Sequence, residues 1–500
     1  MSQLHRGCAL GMLAFALVAA RGQDSSTPAN PPSQDAGTSQ QQAPVPAYGQ
    51  QGAQTPMSEN PPLSGIDQPN LEPHSAPLSY IQPGATASES ADSNIGNNLG
   101  ENSFRSISRA LGSLTLQRLW SRYDLALQYM GGAAYYSQNG LGWKTLQQMD
   151  LDQKITWKRG QLSVRDSFSY LPEGNFGAAY GSLGSQGVAS LGNTSFGGFW
   201  GGSGLGTLGL VPRISNVSLA DITETLTPKS AVTAAGGYAI TRFYGNDPVT
   251  GLAYLNNSQV SAQVGYNRLL TKKTQIALVY GYQGFDFSSV GTAFHSNLVQ
   301  VMYGHRITGR MDFLAGAGPQ FTNIGVACQP ANLGIDPHCS LNQNFQVVGT
   351  IPDFRIGVAG RARLRYQFPH TSVSALYERY ETSGSGLFAG AETDLARLRV
   401  ERPLSRVWNA FADLGYSRNS RLQAATGSAG LAAKVYNLGF AGVGVHRSFG
   451  RDFHGFATYQ FNELSLDHSY CGSAPSCSRI SNREVITIGL DWTPRPIRID

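Results

Sequence analysis

The chain has 500 residues, of which 14% are charged, 10% are aromatic and 59 are glycine, with a formal net charge of +5. Soluble proteins carry about a quarter of their residues as Asp, Glu, Lys and Arg, so much of this chain is not built to face water. Beyond the first two dozen residues no apolar run reaches the roughly 18 needed for a transmembrane helix, the aromatic content excludes a wholly disordered chain, and no heptad or glycine-triplet period occurs.

What remains is an all-β protein made of glycine-punctuated strands. In chain order, His5 and Arg6, an apolar run over residues 9–20 and then Arg21-Gly22-Gln23 predict a secretory signal peptide over 1–22. Cys8 lies at the start of the apolar run, away from the place a lipoprotein cysteine needs. Residues 23–100 hold no Lys or Arg and seven acids (Asp24, Asp35, Glu59, Asp67, Glu72, Glu89 and Asp92) among Pro, Gln, Ser, Ala and Gly. Such a stretch cannot bury enough apolar surface to offset its ordering entropy, and it is expected to be a disordered low-complexity linker, serving as a spacer or a partner-binding tail. After Gly100 there are 35 basic and 25 acidic residues, a surplus twice the whole-chain figure. Residues 101–121 stay unassigned: Phe104, Ile107, Leu111 and Leu114 share a helical face, while Leu114 and Leu116 also suit a strand.

From Arg122 onward side chains alternate. Val260, Ala262, Val264 and Tyr266 share one face and Ser261, Gln263, Gly265 and Asn267 the other. Ile276, Leu278, Tyr280 and Tyr282 repeat the pattern, as do Ile486, Ile488, Leu490 and Trp492 at the end. The apolar faces are long enough for tilted membrane strands of about 9 to 11 residues. Sixteen strands are expected: 122–136, 146–158, 161–171, 214–227, 230–244, 256–268, 274–287, 294–307, 311–325, 353–367, 371–383, 392–402, 407–419, 432–449, 452–466 and 481–493. Their connections alternate between tight turns and longer loops. With odd strands running outward, Trp120, Trp157, Tyr266, Tyr303, Tyr366, Trp408, Phe453 and Trp492 form one aromatic girdle. Tyr135, Tyr170, Tyr244, Tyr280, Phe321, Tyr377, Tyr416 and Tyr459 form another.

On these features residues 122–493 resemble the porin-like outer-membrane β-barrel proteins of Gram-negative bacteria. The resemblance implies a transmembrane antiparallel up-and-down barrel, insertion by the barrel-assembly machinery, outer-membrane lipid as surroundings and passage of solutes. One departure is visible: such barrels end on an aromatic residue, whereas here Trp492 closes the last strand and a tail, 494–500, comes after it.

The strand 353–367 carries the most chemistry. Phe354, Ile356, Val358, Gly360, Ala362, Leu364 and Tyr366 form a lipid-compatible face, which sends Arg355, Arg361, Arg363 and Arg365 to the other. Basic side chains facing lipid cost about 2 to 4 kcal/mol each near the midplane, so these are expected to line the lumen, joined by Glu378, Arg397, Arg399 and Glu401. Guanidinium groups stay charged and offer planar forks to anions; alternatively, Arg and Glu pair across strands and only support the wall. The glycine-dense loop 173–213 could fold into the pore, contact partners through Phe196, Phe199 and Trp200, or stay on the surface. Its Gly204, Gly206 and Gly209 match Gly-x-Gly-x-x-Gly without the strand-to-helix setting of a nucleotide site. Cys328 with Cys339, and Cys471 with Cys477, fall in two outer loops and predict two local disulfides in an oxidising compartment.

No nucleophile elbow, phosphate loop or zinc helix is present, so the reading is a non-enzyme without cofactor or metal. The expected function is a channel for small hydrophilic, in particular anionic, solutes; nucleic acid is no partner, and self-association into a homo-oligomer is left open. Competing readings are a structural or adhesive surface protein, an export barrel for acidic polysaccharide, and a barrel hydrolase using strand-end histidines such as His446, His454 or His468.

Overall fold

The computed structural model describes residues 62–64, 79–95, 99–100, 103–137, 142–172, 212–244, 255–287, 292–328, 337–342, 347–422, 433–471 and 478–499. The chain divides into two compact units, Met1–Val45 and Pro46–Asp500. The first lies wholly outside the described residues, as do the signal segment 1–22, most of the stretch 23–78, the glycine-dense loop over 173–211 and Cys477. The second unit holds every described strand.

Strands that alternate apolar and polar residues must bury the unpaired edges of their sheet, and closing the sheet on itself removes the edges. The ladder runs through β1 (Tyr80–Asp92), β2 (Arg105–Leu119), β3 (Tyr123–Tyr136), β4 (Gly142–Trp157), β5 (Gly160–Leu171), β6 (Arg213–Thr227), β7 (Ser230–Phe243), β8 (Asn257–Thr271) and β9 (Thr274–Phe287). It continues through β10 (Thr292–Thr308), β11 (Met311–Ala327), β12 (Thr350–Gln367), β13 (Ser372–Thr382), β14 (Ala391–Pro403), β15 (Trp408–Arg421), β16 (Val435–Phe449), β17 (Phe453–Leu466) and β18 (Ile480–Trp492). Each is antiparallel to the next, and β18 returns to β1 from Ala85↔Trp492 to Asp92↔Val485, closing an 18-strand barrel. A two-residue strand in the tail, Ile497–Arg498, pairs with Tyr80 and Ile81 beside the seam. A second short ladder, Ser340–Leu341 with Val347–Val348, belongs to the connection between β11 and β12.

All sixteen expected strands are present, as β3 to β18. The two additional ones correct the reading of the N-terminal third. β1 lies in the stretch expected to be linker, and β2 occupies the segment that could have been a helix. The physical reason is visible in their outer faces: Ala85, Ala87, Ala91, Ser106, Ser108, Ala110 and Gly112 are small and Glu89 is charged, so neither strand has the β-branched or aromatic signature that marks a lipid-facing strand. β2 buries Ile107, Arg109 and Leu111 on the inside and exposes Leu114, so the supposed helical stripe is split between two faces.

Connections alternate as a membrane barrel requires. One end carries tight turns such as 158–159, 228–229, 272–273 and 309–310, and the other carries 93–104, 172–212, 328–349 and 422–434. Both β1 and β18 have their outer chain ends on the tight-turn side, which is the periplasmic side of such a barrel. Outward-facing Val301, Ile356 and Ile488 are more than 60% exposed to what would be lipid. Near the tight-turn end, Arg447 lies over the rings of Trp408 and Phe449, at 5.2 and 4.9 Å, and Arg118 lies 4.9 Å over Trp120. Cations stacked on aromatic faces anchor well at an interface where ring and charge are both partly wet.

Inside, large rings face glycines on the neighbouring strand. Phe440 lies over Gly415, and Phe456 over Gly489, where an added Cβ would overlap the ring.

Candidate functional site in the barrel lumen

The alternation of β12 decides the direction of its arginines. Phe354, Ile356 and Val358 are exposed on the outside, so Arg355, Arg361, Arg363 and Arg365 point in. On β14, Ala396 and Leu398 face out, and Arg397, Arg399 and Glu401 face in. Glu378 on β13 stands in register with Arg361 and shares its inner face. All eight sequence-selected residues therefore line the lumen side, but they do not form one constriction: Arg355 is near the loop end of β12 and Arg365 near its turn.

Most of these charges are already engaged. Arg365 grips Asp312 on β11 with Nε and Nη2, at 3.1 and 2.7 Å, and Arg363 Nη2 lies 3.9 Å from the same carboxylate. Arg397 makes a bidentate pair with Asp413 on β15, at 3.0 and 2.7 Å. Arg399 Nε donates to Glu401 at 2.6 Å, and Arg355 donates to the Leu422 carbonyl at 3.0 Å. Arg361 donates to the carbonyl of Leu63 at 2.9 Å. A bidentate guanidinium–carboxylate pair is well oriented and largely self-neutralising, so Arg363, Arg365, Arg397 and Arg399 stand in ion pairs, while Arg355 and Arg361 are held by backbone carbonyls.

Nearly opposite in the ring, β4 to β6 carry acids. Arg165 on β5 lies between Asp152 and Asp221, at 3.6 and 3.5 Å. Asp150 accepts from Ser167 at 2.5 Å. Counted from the tight turns, Asp150, Asp152 and Asp221 sit at about the level of Arg361 and Arg397, so an acid-rich stretch looks across the lumen at an arginine-rich one.

The loop end is apolar and crossed. Between β13 and β14 the chain makes a 3₁₀ turn, Gly384–Gly386, and sends Leu387 and Phe388 inward to only 4% and 3% exposure. They pack with Phe243 of β7 and with Tyr436, Leu438, Phe440, Leu464 and Leu466 of β16 and β17. Since β7 and β16 lie on opposite sides of the ring, this connection spans the outer mouth. Leu255 N–H donates to the Gly386 carbonyl at 3.0 Å and Leu422 N–H to that of Gly390 at 3.1 Å, pinning it at two further points. Gly384 and Gly390 have φ of 74° and 88°, which favours glycine.

Sequence reasoning missed the carboxylate partners. Asp413 was within reach, because β14 and β15 form a hairpin whose short turn fixes the register; Asp312 was not, because residues 328–349 separate β11 from β12. Among the loop cysteines, Cys328 and Cys339 are bonded, with Cα atoms 5.6 Å apart. Cys471 is also disulfide-bonded, and its expected partner Cys477 lies outside the described residues. Among the described residues no group of three or more His, Cys, Asp or Glu could hold a metal ion.

A closed antiparallel barrel of even strand number, with tight turns on one side, loops on the other and an apolar exterior, is an outer-membrane barrel, porin-like in width. No protein-family model matches the sequence, and no curated protein matches it either. Among solved structures, OccK2 (OpdF) of Pseudomonas aeruginosa is similar at a TM-score of 0.39 and 8% identity, over 83% of this chain and 98% of that one. OccK5 (OpdH) of the same organism is similar at 0.39 and 12%, over 84% and 99%. The ferric-catecholate import receptor Fiu of E. coli K12, in its open form, is similar at 0.38 and 9%, over 85% and 82%. At these values the likeness bears on neither solute nor mechanism.

Proposed function

We propose that the protein is an outer-membrane channel that passes small hydrophilic solutes through the barrel, with a mild preference for anions. The observation that carries this reading is the polar inner face of an 18-strand ring: Gln259 and Ser261 on β8 and Thr458, Gln460 and Asn462 on β17 all point inward, each packed among its neighbours at 4% exposure or less. Barrels of 16 to 18 strands leave an aqueous channel. The preference is mild because Asp312, Glu401 and Asp413 already neutralise much of the arginine face. Solutes would pass between this face and the acids of β4 to β6, and the connection 383–390 would swing aside on its glycines to admit them. Export by the signal segment, insertion by the barrel-assembly machinery and residence in outer-membrane lipid belong to the same reading.

Planar-bilayer recording tests it. The purified protein is expected to carry ion current, and replacing Arg361, Arg363 and Arg365 with Ser should move the reversal potential toward cations. An unchanged potential removes these residues from the conduction path, and absence of current in the wild type and in a mouth variant (Leu387→Ala with Phe388→Ala) rejects the channel.

A further inference from the structure

We propose that the lumen wall contains a binding site for a Leu-Ser peptide segment, and that the chain's own Leu63 and Ser64 occupy it as an internal ligand. Only its effect on current rests on the channel reading; the docking itself does not.

Leu63 and Ser64 come from the acidic, Pro/Gln-rich stretch, yet they are 7% and 2% exposed. Every polar group of Ser64 meets the wall. Its N–H donates to Asn267 Oδ1 at 2.9 Å, its carbonyl accepts from Gln263 Nε2 at 2.6 Å, and its hydroxyl bonds to Asn267 Nδ2 and Thr233. Arg361 holds the Leu63 carbonyl from the far side. The Leu63 side chain fills a pocket of Ala277, Val279, Met302 and Leu314, on β9 to β11.

The wall is shaped for this guest. At two inward positions where a side chain would stand, it has glycine. A Cβ on Gly304 would come within 2.7 Å of Leu63 Cδ2, and one on Gly265 would overlap Ser64. Amide recognition of the backbone, a small hydroxyl-sized niche and an apolar pocket together define a peptide site; a sugar or a free anion has no use for the pocket. Donors on β7, β8 and β12 converge on two consecutive residues, and the side chains that make the contacts all belong to lumen faces. The stretch containing the segment carries acids and no basic residue between 23 and 100, which suits approach to an arginine-bearing wall. Gly265, Asn267 and Gly304 lie toward the tight-turn ends of β8 and β10, so the site is in the periplasmic half of the barrel.

The test uses the full chain. Ser64→Cys with Thr233→Cys should crosslink in the folded protein, detected by mass spectrometry of the linked peptides, and Leu63→Asp added to that pair should slow formation of the link. Replacing a buried Leu with Asp should lower the docked-to-undocked ratio about tenfold or more. For a segment docked roughly nine-tenths of the time, the free fraction then rises about fivefold, and mean current should rise in proportion. Gly304→Leu, which fills the pocket from the wall side, should do the same, with heat-modifiable gel mobility confirming that the barrel is folded. A synthetic peptide with the sequence of residues 59–67 should block the Leu63→Asp channel, and a scrambled peptide should not. A crosslink without current in any variant supports the docking site and sinks the channel reading. Absence of the crosslink in folded protein, or equal and non-zero current in wild type, Leu63→Asp and Gly304→Leu, overturns the proposal.

Discussion

The seam between first and last strands offers a quantitative test of how the ring is held. Arg483 on β18 grips Asp92 on β1 with Nε at 3.1 and 2.9 Å from the two carboxylate oxygens, and the two side chains are 1% and 0% exposed. Asp92 also accepts the Asn94 N–H at 2.9 Å, which ties the start of the adjoining loop to the pair. Asp92→Ala leaves a guanidinium buried without its carboxylate, a change worth about 3–5 kcal/mol at buried sites. Removing both charges, with Asp92→Leu and Arg483→Met, discards the desolvation cost along with the attraction and should fall within about 1 kcal/mol of wild type. The expected coupling is therefore several kcal/mol. Urea titration of the protein folded into lipid vesicles, followed by tryptophan fluorescence, measures it, and hydrogen exchange over 85–92 should show the seam opening first in the single mutant. If the double mutant loses the sum of the two single losses, the pair acts as two independent side chains and the reasoning fails.

Three further outcomes are expected. Leu387→Ala with Phe388→Ala removes the apolar grip of the crossing connection, at a local cost of up to several kcal/mol for side chains this buried, and should increase current; an unchanged current in folded protein places the barrier elsewhere. Asp467, in the loop after β17, is partly buried, which alone would raise its pKa, but hydrogen bonds from the Ser469 hydroxyl and from the N–H groups of Lys434, Val435 and Ser469 prevail and hold it below the ordinary carboxylate value. Its contribution is thus complete above about pH 4 and is lost as pH falls further, through the folded value, so exchange protection at 434–435 and 469 should drop in acid, and Asp467→Asn should flatten that dependence. Cys328→Ser with Cys339→Ser should speed proteolytic cutting between those positions while leaving barrel mobility on gels unchanged; equal cutting rates would show that the bridge does not restrain the loop.

The legible parts of this fold are those where alternation is strong. β12 could be read residue by residue, because Phe354, Ile356 and Val358 are large enough to mark the lipid side and four arginines mark the other. β1 was not legible for the opposite reason: with Ala85, Ala87, Glu89 and Ala91 outside and Ser88 and Ser90 inside, its outer face is no more apolar than a lumen face, and the strand is fixed by pairing with β2 and β18. The lumen arginines were visible but their state was not, since Asp312 meets Arg365 across a pairing that no short turn sets. Leu63 and Ser64 had no local signal at all. Two residues in a polar stretch acquire significance only from a pocket assembled by strands more than 150 residues further along.

The facing of rings by glycines inside the barrel gives the bore a fine adjustment. Phe440 at Gly415 and Phe456 at Gly489 each place the end of the ring over a position without a side chain. A single methyl at either glycine has no room beneath the ring and must displace it, at Gly415 toward Leu387 and Phe388 of the crossing connection. The diameter available to a solute can therefore be narrowed in small steps by glycine-to-alanine changes on one strand while the aromatic on its neighbour stays the same. At Gly415, where the nearest atoms all belong to the Phe440 ring, the backbone would be untouched, whereas at Gly489 the methyl also presses on the Ala87 carbonyl of β1, 2.9 Å away, and couples the bore to the seam.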